Sequence, residues 1–322
     1  TTFAGTINAG NFTAVNNITF NTSNISVGTL NVGNAVTFNG VDNLTFANTI
    51  SGTGKLVKSG TNTLIVSGDN TFSGGVDLSG GVLELGSANA IGSLGDISML
   101  GGTLKFTSSN TTDYSSRFSA ADNQAFKFDT NGQNVTLSAN LVGSGGTLEK
   151  MGSGILTLSG TNTYTGGTTL TAGELYLTSS GALGVSGSLI FNGGILKHSA
   201  NNLVDYSGRF SSAANQLFKI NVDNGSTLSW AYGVAGNGSQ FWKLGNGGLI
   251  MNGTSTNTGL SYIGDGFLYL GRNNALSSNS HLEVNGGAIV DLNGFSQSAL
   301  SLSGSGMIRN TVAESNSIFT FT

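Results

Sequence analysis

The sequence predicts an all-β chain that winds as a right-handed, single-stranded parallel β-helix (a solenoid) of about 14–15 coils. Three observations predict it: apolar residues alternate with Thr, Ser or Asn in short runs, glycine ends these runs, and long stretches of the chain repeat. Alternation with period 2 is typical of half-buried strands, and glycine marks the tight turns between them. The 322 residues include 51 Gly and no Pro. Because proline removes a backbone donor, a chain whose strands are hydrogen-bonded on both sides excludes it.

Composition argues against several other classes of protein. The net charge is only −4 and 38% of the residues are hydrophobic, whereas disordered segments combine a high net charge with few apolar residues. Without cysteine there is no disulfide, thiolate metal site or cysteine nucleophile. No apolar run is long enough to predict a membrane-spanning helix, and a pI near 5.0 argues against nucleic acid. The chain begins TTFAG rather than with Met, so we expect a processed or excised piece of a longer protein.

The chain divides into four segments that we expect to form one continuous solenoid. Residues 1–48 carry short alternating pieces separated by Asn-rich turns, and they predict two irregular coils. Residues 49–140 and 141–232 are two long repeats, and residues 233–322 form a third that diverges at its C-terminal end. Apolar pairs recur roughly every 20 residues, so each long repeat predicts about four coils of three short strands.

The first two long repeats align at an offset of 92 residues. The aligned segments are KSGTNTLIVSGDNTFSGGVDLSGGVLEL (58–85) with KMGSGILTLSGTNTYTGGTTLTAGELYL (150–177), and DYSSRFSAADNQAFKFD (113–129) with DYSGRFSSAANQLFKIN (205–221). Lys58 therefore corresponds to Lys150, and a third copy at an offset of 93 contains Lys243. A register kept over roughly 75 residues indicates internal duplication. We expect equivalent residues to occupy equivalent environments.

Two kinds of side chain are expected to hold the coils together. Leu, Ile, Val and Phe at alternate positions predict interior columns, in which each fully buried side chain contributes roughly 1.5–3 kcal/mol. Asn recurs at turn positions, where its amide bonds to its own backbone or forms a ladder with Asn in the next coil. The recurrent positions are Asn70, Asn162, Asn192 and Asn285.

Part of the long repeat resembles a known family. GTLEKMGSGILTLSGTNTYTGGTTLTAGELYL (146–177), GALGVSGSLIFNGG (181–194) and DLNGFSQSALSLSGSGMI (291–308) resemble the passenger-associated transport repeat of bacterial autotransporters. The copy at 54–85 lacks the Ala-Gly-x-Leu close of that repeat, and the third copy lacks its Asn-Thr-Tyr element. The resemblance covers roughly residues 49–310. It implies a right-handed β-helical passenger that is exported across the outer membrane and displayed or released outside the cell.

This resemblance and the solenoid pattern favour a non-enzymatic, extracellular surface protein that acts as an adhesin or a rigid spacer. Its expected partners are host or neighbouring-cell surface molecules or glycans. The alternative is a subunit of a self-assembling extracellular fibre, in which open coils stack head to tail on further copies of the chain. A polysaccharide-active β-helical enzyme is the remote third hypothesis. We expect no cofactor, no metal, no nucleic acid partner and no direct membrane insertion.

The sequence offers few residues for catalysis. The two histidines, His198 and His281, give neither Ser–His–Asp spacing nor a His-x-x-x-His metal pair. Stacking of coils could bring Asp113 toward Asp129, or Asp205 toward Asp223. The Asp-Thr-Asn-Gly and Asp-Asn-Gly contexts favour turn residues instead. No catalytic, cofactor-binding or metal-ligating residue is therefore assigned.

The motif DYS-x-RF occurs once in each of the first two long repeats, at 113–118 and 205–210. A functional interpretation is a ligand clamp. Reuse at the same place in two copies favours a structural role, such as a loop or coil end held by an Asp–Arg pair.

The densest aromatic patch comprises Trp230, Tyr232, Phe241 and Trp242. If exposed, it predicts a surface that binds a carbohydrate or a protein partner, because rigid aromatic side chains dominate binding hot spots. If buried, it is a wide layer of the core. Lys243 beside it matches Lys150, which favours ordinary repeat architecture.

Overall fold

A computed structural model describes residues 1–321 and confirms an all-β fold of parallel strands. It is a β-solenoid of about 16 turns with almost no helix. The turns outnumber the 14–15 predicted, in part because the first coils are shorter than expected. Thr2 pairs with Thr19 and Ile18 with Val36, steps of 17 and 18 residues.

The chain forms two compact units. Unit 1 comprises residues 1–156 and 162–167, and unit 2 comprises residues 157–161 and the chain from residue 168 onward. Unit 1 contains one 3₁₀ helix, Ser115–Arg117, and the strands β1 (Thr2–Phe3), β2 (Ile7–Ala14), β3 (Ile18–Phe20), β4 (Ile25–Val32), β5 (Ala35–Phe38), β6 (Leu44–Phe46), β7 (Thr49–Ser51), β8 (Lys55–Lys58), β9 (Thr63–Val66), β10 (Val76–Leu78), β11 (Val82–Leu85), β12 (Ile97–Met99), β13 (Thr103–Lys105), β14 (Ala125–Asp129), β15 (Val135–Leu137) and β16 (Thr147–Met151). Strand β17 (Ile155–Leu158) lies at the sequence boundary of the units.

Unit 2 has the same kinds of element. It contains one 3₁₀ helix, Ser207–Arg209, and the strands β18 (Thr168–Leu170), β19 (Glu174–Leu177), β20 (Leu189–Phe191), β21 (Ile195–His198), β22 (Leu217–Val222), β23 (Thr227–Trp230), β24 (Gln240–Leu244), β25 (Gly248–Met251), β26 (Ser261–Ile263), β27 (Phe267–Leu270), β28 (His281–Val284), β29 (Ile289–Asp291), β30 (Gln297–Ala299), β31 (Ser301–Gly304), β32 (Met307–Arg309) and β33 (Phe319–Phe321). The two 3₁₀ turns are far too short to cross a membrane, and the described residues contain no longer helix.

Each unit is built from parallel columns of strands, one strand from each coil. In unit 1 the columns are β1-β3-β5-β8-β10-β12, β2-β4-β7 and β6-β9-β11-β13-β14-β16. In unit 2 they are β19-β21-β22-β24-β26-β28-β31, β23-β25-β27-β29-β32, β18-β20 and β30-β33. Side chains of like position lie over one another, so that Leu83 pairs with Leu64 on one side and Leu104 on the other. All three are fully buried, as the period-2 pattern predicts.

The equivalent lysines occupy equivalent environments, as the offsets of 92 and 93 residues predict. The side chains of Lys58, Lys150 and Lys243 are all fully buried. Each of the three long repeats therefore places one of these lysines in the interior, although lysine is seldom buried without a partner.

Three of the four recurrent turn Asn residues, Asn70, Asn162 and Asn285, bond through their side chains to backbone groups of neighbouring coils. Asn70 accepts a hydrogen bond from the amide of Ile50 (2.7 Å) and donates one to the carbonyl of Ala90 (2.7 Å), so it joins the coils on both sides. Asn162 accepts from the amide of Leu141 (2.6 Å). The expected link between coils is present, but it runs through main-chain groups that would otherwise be buried without partners.

Candidate functional site

The structure splits the aromatic patch between the interior and the surface. Trp230 and Phe241 are fully buried, with ring centroids 5.8 Å apart, and Trp230 also packs edge-on against Phe210 at 5.0 Å. Tyr232 is 62% exposed, and Trp242 is half-buried on the outward side of β24. Because neighbouring strand residues point to opposite faces, Phe241 and Trp242 cannot share one surface. Of the four, only Tyr232 and Trp242 are accessible to a partner.

Trp242 belongs to a row of outward side chains that we call the aromatic row: Lys219, Trp242, Tyr262 and Glu283. These residues occupy one register position on four successive coils of unit 2. The Nζ atom of Lys219 lies 5.1 Å from the Trp242 ring centroid, and the Trp242 and Tyr262 rings meet edge to face at 5.3 Å. Sequence reasoning missed Lys219 and Tyr262, since they come together only through coil stacking.

A second outward cluster surrounds Lys197. Its Nζ atom lies 3.3 Å from Glu174 Oε1, 3.6 Å from Asp223 Oδ1 and 4.5 Å from the ring centroid of Tyr176. The Tyr176 hydroxyl donates to Asp223 Oδ2 at 2.6 Å. This hydrogen bond, with burial and the nearby negative charges of Asp223 and Glu174, raises the pKa of Tyr176 to about 12. The sequence predicts Asp223 as a turn residue that stacking could bring toward Asp205. In the structure its carboxylate contacts Lys197 and Tyr176.

The Lys197 cluster is a tie between coils rather than a catalytic pair. A glycosidase holds the scissile bond between its two carboxylates. Here the Lys197 ammonium binds both carboxylates itself. The first long repeat carries Lys105 at the position of Lys197, where it forms an ion pair with Glu84 of the preceding coil at 3.1 Å. Because a lysine–carboxylate pair recurs there, the arrangement belongs to the solenoid scaffold.

In the first DYS-x-RF motif, Arg117 and Asp113 connect three successive coils. The Arg117 guanidinium donates to the carbonyls of Gly92 (2.8 Å) and Gly95 (2.9 Å), among others in the preceding coil. The Asp113 carboxylate accepts from Ser138 in the following coil, with its amide at 2.8 Å and its hydroxyl at 2.5 Å. The expected Asp–Arg pair is wrong for these two residues, because Arg117 reaches backward along the stack and Asp113 reaches forward.

The second copy of the motif repeats this geometry. Arg209 donates to the carbonyls of Gly184 (2.5 Å) and Gly187 (2.9 Å) in the preceding coil, and Asp205 accepts from the amide of Ala231 (2.7 Å) in the following one. A structural role for the motif is therefore confirmed. Its recurrence follows from the need to hold the loop that carries it to the coils on both sides.

The two histidines occupy different surroundings. His198 is buried, its Nδ1 atom lies 3.0 Å from the carbonyl oxygen of Asn202, and its Nε2 atom has no hydrogen-bond partner among the described residues. Burial lowers the pKa of His198 to about 4. His281 faces outward, with Ser301 Oγ 2.6 Å from Nδ1 and Ser303 Oγ 2.7 Å from Nε2. Both ring nitrogens of His281 are thus occupied by hydroxyl groups.

The remaining acidic candidate behaves as a turn residue. The carboxylate of Asp129 accepts from the amide of Asn131 at 2.8 Å, which is the local bond expected of Asp in a turn. Within residues 1–321 no three His, Asp or Glu side chains are grouped so that they could hold a metal ion.

Comparison with known proteins identifies the repeat. Residues 56–85 and 148–177 match the family model described as the passenger-associated-transport-repeat, which confirms the resemblance for these segments. The "Adhesin BmaC autotransporter" of Brucella suis biovar 1 (strain 1330) is 34% identical to this chain over an alignment of 111 residues, which covers 31% of this chain and 3% of that protein. The chain thus matches only a small fraction of that relative's length. No solved structure matches the chain.

Proposed function

We propose that this parallel β-solenoid, a chain that carries passenger-associated-transport-repeats, is part of an autotransporter passenger that acts outside the bacterial cell as an adhesin or rigid spacer. The observation that carries the proposal is the match of two segments, in the same solenoid, to a repeat associated with passenger transport. Similarity to a protein named an autotransporter adhesin supports it. The role needs no catalytic group, because a stack of hydrogen-bonded coils holds binding surfaces in fixed positions by itself.

The aromatic row is the surface that we propose for partner contact. Trp and Tyr provide a large apolar area with little conformational entropy to lose, and each also carries a polar atom. Lys219 and Glu283 place one charge of each sign at the two ends of the row. Such a surface suits glycans or proteins of a host or neighbouring cell.

The test compares two pairs of aromatic substitutions in unit 2. Trp242→Ala with Tyr262→Ala removes the centre of the aromatic row. Phe267→Ala with Tyr269→Ala is the matched control, since these rings stack at 5.9 Å on strand β27 in another column. Binding of the purified chain to host cells and to immobilised surface glycans should fall at least fivefold in the first variant only.

Equal binding by both variants and the wild-type chain would rule out the aromatic row as the contact surface. A wild-type chain that binds no cell surface would favour the spacer over the adhesin. The fibre alternative predicts filaments of the isolated chain in negative-stain micrographs, whereas the adhesin and spacer predict separate particles.

A further inference from the structure

A lysine interrupts an apolar interior column at three places related by the long-repeat offset. Each of these lysines is fully buried near the end of a strand, in β8, β16 and β24 respectively. Apolar residues flank them in the columns: Phe38 and Leu78 beside Lys58, Phe128 beside Lys150, and Ile220 and Ile263 beside Lys243. Contact with water therefore does not satisfy the ammonium groups of these three lysines.

Lys243 shows how such an ammonium is satisfied. It donates to the carbonyls of Leu244 (3.0 Å) and Gly245 (2.7 Å) in its own turn, and to the carbonyl of Asp265 (3.2 Å) on the following coil. Three acceptors match the three donors of an ammonium group. The main chain of two coils thus supplies all three acceptors.

The other two lysines use the same scheme. Each bonds to the carbonyl of the glycine two residues later and to one group on a neighbouring coil. The partners are Gly60 and Gly80 for Lys58, and Met151 (2.8 Å), Gly152 (2.7 Å) and the hydroxyl of Thr130 (3.0 Å) for Lys150. Gly152 and Gly245 have φ of +71° and +72°, a left-handed conformation that favours glycine. In the second and third repeats the Lys-x-Gly sequence and the nest of carbonyls therefore belong together, whereas Gly60 of the first repeat does not have a positive φ.

Stability alone is a weak explanation for these buried charges. Burial lowers the pKa of Lys58 and of Lys243 to about 8, and for Lys243 the negative charge of Asp265 opposes this effect only in part. Apolar residues of similar volume in place of buried charges are often neutral or stabilising. A charge kept inside at three equivalent positions instead suggests that it specifies the local conformation, the use for which buried polar groups are best known.

We propose that the interior lysine of each long repeat is a structural tie that fixes the Lys-x-Gly turn and the stacking of a neighbouring coil on it. The tie does not depend on what the chain binds. It gives the Lys-x-Gly element, which both matched repeat segments contain, a physical role.

The test replaces Lys243 by Met, which has similar length and no charge. Lys219→Met is the matched control, because Lys219 lies on the outward side of the adjoining strand. Amide hydrogen exchange in residues 244–247 and 264–266 should become at least tenfold faster in Lys243→Met, while the rest of unit 2 keeps its protection. The control should leave these turns unchanged. Unchanged exchange in the turns of Lys243→Met would overturn the proposal.

A second measurement needs no variant. Reductive methylation of the native chain at pH 7.5, mapped by mass spectrometry, should modify Lys55 and Lys219 and leave Lys58, Lys150 and Lys243 at least tenfold less modified. Modification of the three interior lysines at the rate of Lys219 would overturn the proposal, because a tied, buried ammonium is not accessible to the reagent.

Discussion

Replacing His198 by Phe isolates the effect of one buried imidazole on stability. Phe106 occupies the corresponding position in the first long repeat and is also fully buried, so the interior of a coil accepts a phenyl ring there. The substitution removes the Nε2 atom that lacks a partner, and it also removes the Nδ1 contact with the Asn202 carbonyl. Because an unsatisfied buried group and a lost hydrogen bond are each worth about 1 kcal/mol, we expect little change at pH 7.5.

The pH dependence gives the larger effect. The pKa of His198 is about 4 in the folded chain against 6.5 for the unperturbed side chain. Well above pH 6.5 the imidazole is neutral in both states, so it contributes no pH dependence there. Between pH 6.5 and 4 the unfolded chain binds a proton that the folded chain does not, so stability falls as the pH is lowered. At about 1.4 kcal/mol per pKa unit, the fall amounts to about 3 kcal/mol.

Urea unfolding at pH 7.5, 5.5 and 4 measures this difference. The wild-type free energy of unfolding should decrease about 3 kcal/mol more than that of His198→Phe over this range, since carboxylates titrate alike in both proteins. His281→Gln is the control, and it should keep the wild-type decrease because His198 is still present. An equal decrease in His198→Phe and the wild type would refute the reasoning, because the imidazole would then be no more buried when folded than when unfolded.

Three further substitutions test the ties between coils. Arg117→Met should lower the free energy of unfolding by about 2–3 kcal/mol in chemical denaturation, since several carbonyls lose a charged donor, while the exposed Arg272→Met should change it by less than about 0.5 kcal/mol. Lys197→Met should destabilise the chain more than Lys105→Met does, because Lys197 has a second carboxylate partner, and the difference should be no more than about 1 kcal/mol. This difference should shrink in 1 M salt. Equal effects of the two substitutions at every salt concentration would show that the second carboxylate contributes nothing. Burial raises the pKa of Asp291, but its hydrogen bonds lower the pKa by more, so the net shift is downward. Asp291 should therefore contribute stability above pH 4 that is lost as the pH falls through its folded pKa. In a circular dichroism titration, Asp291→Asn should accordingly unfold less steeply with acid than the wild type.

Coil stacking, and not local sequence, decides which of the candidate site residues meet. Trp230 and Trp242 lie twelve positions apart, and each ends or lies within a short strand. Trp230 is nevertheless interior, whereas Trp242 belongs to the aromatic row. Tyr262 joins Trp242 only because β26 stacks on β24. Alternation within a strand shows that one face is buried, but the neighbours of Trp242 are Phe241 and the charged Lys243, so the pattern in β24 does not indicate which face that is.

The sequence by itself determined the strands, their parallel stacking and the equivalence of residues 92 positions apart. The strands follow from period-2 alternation and glycine spacing within each short segment, and the equivalence follows from the repetition of these segments along the chain. Only the tertiary structure decided that Asp223 meets Tyr176, 47 residues earlier, and that Lys58 and Lys150 point into the core. The physical reason is that partners on neighbouring coils depend on the length and path of every turn between them. A lysine is accepted inside only where those turns present their carbonyls to its ammonium group.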